Sequence, residues 1–195
     1  KNPTQTQLLN ATKLSGRTDS KLGIGVFNGL ANNTYATVAD SLGNKRSILT
    51  SPLTNYNIVV LDQALKNNSS VSLVNTNVTR DGHFHDANVT GAGFRINNKN
   101  KNYSIGGFGA MSNRFFSDNS KPSSGYNYNI DFGKSGGNFK WNVYSALNTD
   151  KYNPNDLGIL FLTNNTENGV NFEYNIFKPF WKVNNIYNSA SIVYQ

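Results

Sequence analysis

Tyr126-Asn127-Tyr128-Asn129-Ile130-Asp131-Phe132, then Gly133-Lys134-Ser135-Gly136-Gly137-Asn138, then Phe139-Lys140-Trp141-Asn142-Val143 is the stretch that decides the fold. Apolar and polar residues alternate with period two on both sides of a glycine-rich hexapeptide, the pattern of two β-strands joined by a turn. Tyr126, Tyr128, Ile130 and Phe132 share a face, and Phe139, Trp141, Val143 and Leu147 continue it; Asn127, Asn129 and Asp131 oppose them, as do Lys140, Asn142 and Tyr144. Folding about residues 133–138 sets Phe132 beside Phe139, Asp131 beside Lys140, Ile130 beside Trp141 and Asn129 beside Asn142. One register satisfies both faces.

The hairpin before it follows the same rule. With residues 97–102 as the turn, Ile96 meets Tyr103, Phe94 meets Ile105, Arg95 faces Ser104, Gly93 faces Gly106, and Phe108 covers Gly91. The segment after it puts Val170, Phe172, Tyr174 and Ile176 on one side and Asn171, Glu173 and Asn175 on the other; the parity of its partner, residues 183–194, stays open. Two earlier hairpins, residues 9–15 with 22–30 and 55–63 with 71–79, bring the total to about ten strands. Short turns are expected at residues 17–20, 65–70, 97–102, 133–138 and 177–182. They alternate with connections at 31–53, 80–85, 113–124 and 149–168, three of which are long.

Composition narrows the setting. The 195 residues are 15% charged and 12% aromatic, with 34 asparagines and a net charge of +7, where soluble domains average about 25% charged. The mean hydropathy is −0.51, and the longest apolar runs, Ile58 to Leu61 and residues 157–162, fall far short of the roughly 18 residues of a membrane helix. A helical membrane protein is excluded. Lys66, Lys99, Lys101, Lys134 and Lys178 are dispersed among turns rather than gathered in a patch, so nucleic acid is not an expected partner. No cysteine is present, which removes disulfides and thiolate chemistry. No basic-then-apolar export segment opens the sequence at Lys1-Asn2-Pro3-Thr4.

Ten-residue alternating segments, short turns at one end, long loops at the other and aromatics towards strand ends are what an outer-membrane barrel requires. The expectation is therefore an all-β, antiparallel, up-and-down transmembrane β-barrel segment, about ten strands of a larger barrel, occupying residues 1–195 and incomplete at both ends. Its lumen-lining candidates are Arg95, Asn129, Asp131, Lys140, Asn142, Asn171 and Glu173. Its lipid-facing candidates are Phe94, Tyr128, Ile130, Trp141, Phe172 and Tyr174. The carboxylates Asp62, Asp131 and Glu173 are expected to be lumen charges that pair, as a group, with Arg95, Lys140 and Arg17. The alternative is a secreted soluble β-sheet adhesin or binding module, whose sandwich alternates in the same period.

Leu14-Ser15-Gly16-Arg17-Thr18, Gly23-Ile24-Gly25-Val26, Pro52-Leu53-Thr54-Asn55-Tyr56 and residues 61–70 resemble the membrane-embedded part of Bacteroidota outer-membrane proteins that carry a family-9 carbohydrate-binding-like domain ahead of a large barrel. Thr76-Asn77-Val78-Thr79-Arg80, Asp86-Ala87-Asn88-Val89-Thr90-Gly91 and Asn153-Pro154-Asn155-Asp156-Leu157-Gly158 extend the likeness over most of the chain. The resemblance implies further strands on both sides, an outer-membrane location and an upstream sugar-binding-like domain absent from this sequence. It supplies no settled activity.

Catalytic signals are weak. His83-Phe84-His85-Asp86 places two imidazoles on one side of an extended segment, but no third metal ligand is in view. Gly23-Ile24-Gly25 and Gly106-Gly107-Phe108-Gly109 lack the strand-to-helix context of a phosphate loop. No nucleophile elbow is present, and the carboxylates are whole strands apart. No catalytic residue, cofactor or metal is expected. The reading is a non-enzymatic channel, receptor or scaffold in a bacterial outer membrane, with lipid as one partner and polar or glycan ligands, or other outer-membrane proteins, as the rest. A barrel enzyme with a site in its lumen or rim is the third class considered. The apolar Ile159-Leu160-Phe161-Leu162 is expected to fold back onto the wall.

Overall fold

Period-two alternation leaves each segment one apolar and one polar side, and backbone groups that only a neighbouring strand can satisfy. In the computed structural model, which describes residues 5–118, 120–179 and 181–195, this produces β1 (Leu8–Arg17), β2 (Leu22–Ala31), β3 (Thr34–Ala39), β4 (Lys45–Ser51), β5 (Thr54–Ala64), β6 (Ser70–Arg80), β7 (Asp86–Asn97), β8 (Tyr103–Phe115), β9 (Ser123–Lys134), β10 (Phe139–Asn148), β11 (Asn165–Ile176) and β12 (Ile186–Tyr194). Ten of them form one antiparallel sheet in the order β1-β2-β5-β6-β7-β8-β9-β10-β11-β12. Each strand pairs with its neighbour in sequence, apart from the excursion β3–β4. The sheet is open, with β1 and β12 as its two edges. No α-helix occurs among the described residues; one 3-10 turn, Lys66–Asn68, links β5 to β6.

The faces fall as expected, but two registers do not. In β7–β8, Ile96 pairs with Ile105, Arg95 with Gly106 and Gly93 with Phe108. Asn98 is responsible: its Oδ1 accepts the backbone N–H groups of Asn102 and Tyr103 at 2.8 and 3.2 Å, closing a shorter turn than residues 97–102 with Lys101 at φ 56°. Phe108 still lies over Gly91, where an added Cβ would stand 2.6 Å from its ring. In β9–β10 the correction is larger. Phe132 pairs with Val143, Asp131 with Tyr144 and Lys134 with Trp141, four residues from the expected register. The glycine-rich segment binds sideways instead, Ser135 N–H donating to the Asn102 carbonyl at 2.8 Å, so Phe139 and Lys140 pair with β11 alone. Both slips are even, so no side chain changes face.

Residues 31–53, expected as one long connection, contain β3–β4. Asp40 closes its turn, Oδ1 accepting from Leu42 and Asn44 N–H at 2.9 and 2.8 Å, with Gly43 at φ 85°. Hydrogen bonds from the Asn44 side chain and backbone hold the Asp40 carboxyl below its ordinary value. A depressed folded value favours the closed turn above the ordinary carboxylate range and loses that favour as pH falls through it. Amide exchange at Leu42 and Asn44 is therefore expected to quicken on acidification beyond the intrinsic trend, and an Asp40→Ala variant to show no such pH-dependent excess.

Among the described residues nothing covers the apolar side of the main sheet. Tyr128, Ile130, Phe132, Val143 and Phe172 are 39–46% exposed. The total accessible surface is 13324 Å², against ~9,200 Å² for a compact monomer of this mass. The few buried apolar residues, among them Val78, Ala87, Ala110 and Tyr152, cluster where a loop crosses the other face.

Candidate functional site

The polar side of the sheet carries its charges in matched pairs. Arg17 Nη2 lies 2.8 Å from Asp62 Oδ1, Arg95 Nη2 lies 3.2 Å from Asp131 Oδ1, and Lys140 Nζ lies 4.0 Å from Glu173 Oε2. The three acids and three bases are those expected to pair on this face, but the expected register set Asp131 beside Lys140, whereas Asp131 meets Arg95 and Lys140 meets Glu173. Asn142 sits directly opposite Asn171, whose Oδ1 accepts the Ser191 hydroxyl. Asn129 remains apart from the charges, between Phe108 and Ala146. Phe94, Tyr128, Ile130, Trp141, Phe172 and Tyr174 occupy the opposite face, as expected. Trp141 pairs with Phe172, and the Phe132 and Trp141 rings meet edge-on at 5.2 Å.

Two of the ion pairs depend on a glycine within a strand, Gly106 and Gly23. Arg95 on β7 and Asp131 on β9 are both directly opposite Gly106 on β8, and an added Cβ there would stand 2.8 Å from both charged groups. Gly23 does the same between Arg17 and Asp62, at 3.1 Å from Arg17 Nη2. A basic residue, a glycine and an acid in one row across three strands is the signal that would have found them. Gly106→Val is expected to sever the Arg95–Asp131 contact. Because the pair is half exposed in water, the electrostatic part of the loss is at most ~1 kcal/mol. An Arg95–Asp131 double-mutant cycle, run with and without Gly106→Val, reads it directly.

At the long-loop end, the β10–β11 connection folds across this same face. Tyr152 is 5% exposed; Asn153 N–H donates to Ser112 Oγ at 2.9 Å, and Arg80 and His85 converge on Asp156 Oδ1 at 2.5 and 3.2 Å. His85 thus serves this anchor. Burial pushes the Tyr152 phenol above its ordinary value. The apolar run does not return to the wall. Ile159, Phe161 and Leu162 are 71–91% exposed, because Asn155 Oδ1 accepts Leu160 N–H at 2.6 Å and turns the segment outward.

These features define an open, single-layer, ten-stranded antiparallel sheet with one bare apolar face and one ion-paired polar face. The profile of a domain of unknown function, DUF5916, matches residues 1–195, and the chain belongs to that family. No curated protein and no solved structure matches it.

Proposed function

We propose that this sheet is a segment of a transmembrane β-barrel in a bacterial outer membrane, non-enzymatic, serving as a channel, receptor or scaffold for polar ligands or partner proteins. The observation that supports it is a slant. On β5 the apolar run on the bare face is Val59 and Leu61, flanked by Asn57 and Gln63. Following the ladder from Leu61 through Leu73, Ala92, Gly109, Tyr128 and Leu147 ends on Thr166 of β11. The apolar run on β11 is instead Val170, Phe172, Tyr174 and Ile176, and Phe172 within it lies six residues further along after six strand steps. One residue per strand, at ~3.4 Å rise and ~4.8 Å spacing, is a tilt of about 35°. Membrane barrels tilt their strands by about 35–45°. A belt running obliquely to the strands is level with respect to a plane that the strands cross at that angle.

The charges keep to the same slant. Asp62 lies in the row that reaches Glu167 on β11, while the ion-paired acid there is Glu173, again six residues on. Each pair therefore sits behind the apolar belt, with Asp131 two residues off the level that the slant sets from Asp62, on the side a lumen would occupy. A soluble two-layer sheet would need a second layer over Ile130 and Phe172, and would have no reason to slant its apolar run. The resemblance to outer-membrane barrels preceded by a carbohydrate-binding-like domain agrees with this reading.

Because the chain has no cysteine, single-cysteine scanning tests it cleanly. In membrane vesicles, Ile130→Cys and Val143→Cys are expected to resist a membrane-impermeant maleimide and to react with a lipid-soluble one. Asn129→Cys and Asn142→Cys should react with the aqueous reagent. Aqueous labelling of all four at one rate would overturn the proposal.

A further inference from the structure

At the long-loop end, above the apolar belt, the bare face changes character. Asn28, Asn57, Asn77, Asn88 and Asn113 stand directly opposite one another on β2, β5, β6, β7 and β8, with Asn55, Asn75, Thr79 and Thr90 beside them. Asparagine is depleted in strands, so five in one row need an account. They do not extend the polar face. Tyr56, Ile58, Val78, Ala87 and Val89 alternate with them on the same strands and point the other way, and Val78 is 1% exposed. The polarity of the two faces has reversed.

The amides are organised among themselves. Asn28 Nδ2 donates to Asn55 Oδ1 and Asn57 Oδ1 at 2.7 and 2.8 Å, and Asn75 Nδ2 to Thr90 Oγ1 at 2.7 Å. A side-chain amide offers two donors and an acceptor with two lone pairs, so these contacts hold the groups in place while using part of their capacity. No Lys or Arg belongs to this row. Neutral groups that both donate and accept, fixed at strand spacing, complement hydroxyls rather than phosphates. Hydrocarbon is no place for them, since an unmatched amide there is costly.

We infer that this asparagine ledge binds the sugar headgroups of glycolipids in the leaflet on the long-loop side. The inference rests on the barrel reading: the ledge meets the upper edge of the apolar belt at Asn28 and Asn57, next to Val26 and Val59 on their faces, and rises above the slanting belt on β6 and β7, through the zone where headgroups lie. Its ligand class is a neutral, polyhydroxylated headgroup.

The test reconstitutes the protein in vesicles of phosphatidylcholine containing a minor fraction of digalactosyl diacylglycerol and measures the lipid retained on detergent extraction. The expected result is about fivefold enrichment of the glycolipid over phosphatidylcholine, the factor that one net hydrogen bond supplies. The triple variant Asn57→Thr, Asn77→Thr, Asn88→Thr, which keeps a strand-forming polar surface, should bring the ratio down to that of the bulk lipid. Asn129→Thr with Asn142→Thr on the other face should leave it enriched. Equal retention of both lipids by the unaltered protein, or unchanged enrichment in the triple variant, would overturn the inference. Enrichment abolished equally by free galactose polymers at low concentration would make the ligand a soluble glycan and would overturn it too. Water-accessible Ile130→Cys in the same vesicles would instead bring down the barrel reading, which separates the two failures.

Discussion

Arginine in place of Ile130 or Phe172 is expected to lower the stability of the membrane-inserted protein by about 2–4 kcal/mol, whereas arginine in place of Asn129 or Asn171 should change it little. The two pairs differ by one residue in sequence and by a whole face in the sheet. Ile130 and Phe172 lie near the centre of the slanted belt, where a guanidinium would have to leave water for hydrocarbon. Asn129 and Asn171 lie on the opposite face, the one that already carries Arg95, Lys140 and Glu173. The slant adds a sharper requirement. Depth should follow the belt and not the ladder, so Thr166→Arg, which shares a row with Leu61, should be tolerated while Leu61→Arg is not. Denaturant titration of the reconstituted variants supplies all the values. A core between stacked sheets would make Leu61 and Thr166 equally sensitive, and a sheet in water would make every one of these changes mild.

Why the faces were legible and the registers were not has one physical cause. A period of two assigns every side chain in Tyr126 to Val143 to a side, and no even slip disturbs that assignment. The alternation therefore cannot distinguish Phe132 opposite Phe139 from Phe132 opposite Val143. The choice was made outside the strands, by Asn98 capping its own turn and by the Asn102 carbonyl capturing the glycine-rich segment. The charges kept their face under the even slip but changed partners: Asp131, expected beside Lys140, reaches Arg95 over Gly106, and Lys140 reaches Glu173. The asparagine ledge was hidden for a different reason. Val59, Val60 and Leu61 are apolar in succession, which masks the point in β5 where the two faces exchange polarity, and only the pairing of β5 with β2 and β6 brings Asn28, Asn57 and Asn77 into one row. The loop contact between Arg80 and Asp156 spans 76 residues with no periodic signal at either end.

That contact carries the second large effect. Arg80 and Asp156 are about 15% exposed in their side chains, so removing one partner strands a mostly desolvated charge, and Asp156→Ala is expected to release the loop at a cost of about 3 kcal/mol. Asp156→Asn should cost less, since Arg80 keeps an acceptor. A charge effect alone is distinguishable from a packing effect by a second route to the same state. Gly125→Ala adds a methyl group whose carbon would stand 2.1 Å from the Tyr152 backbone nitrogen, which lifts the loop while leaving both charges in place. If the anchor and the packing act on one hinged strap, both variants should expose the neighbourhood of Lys151 to trypsin and quicken amide exchange at Asn153, whose N–H is bound to Ser112. The double variant should then lose little beyond the larger single effect, because a strap already lifted has no contact left to break. Additive losses would mean that the two ends of the loop are held independently. The long-loop end of the polar face would then be covered by two separate contacts, at Arg80 and at Gly125.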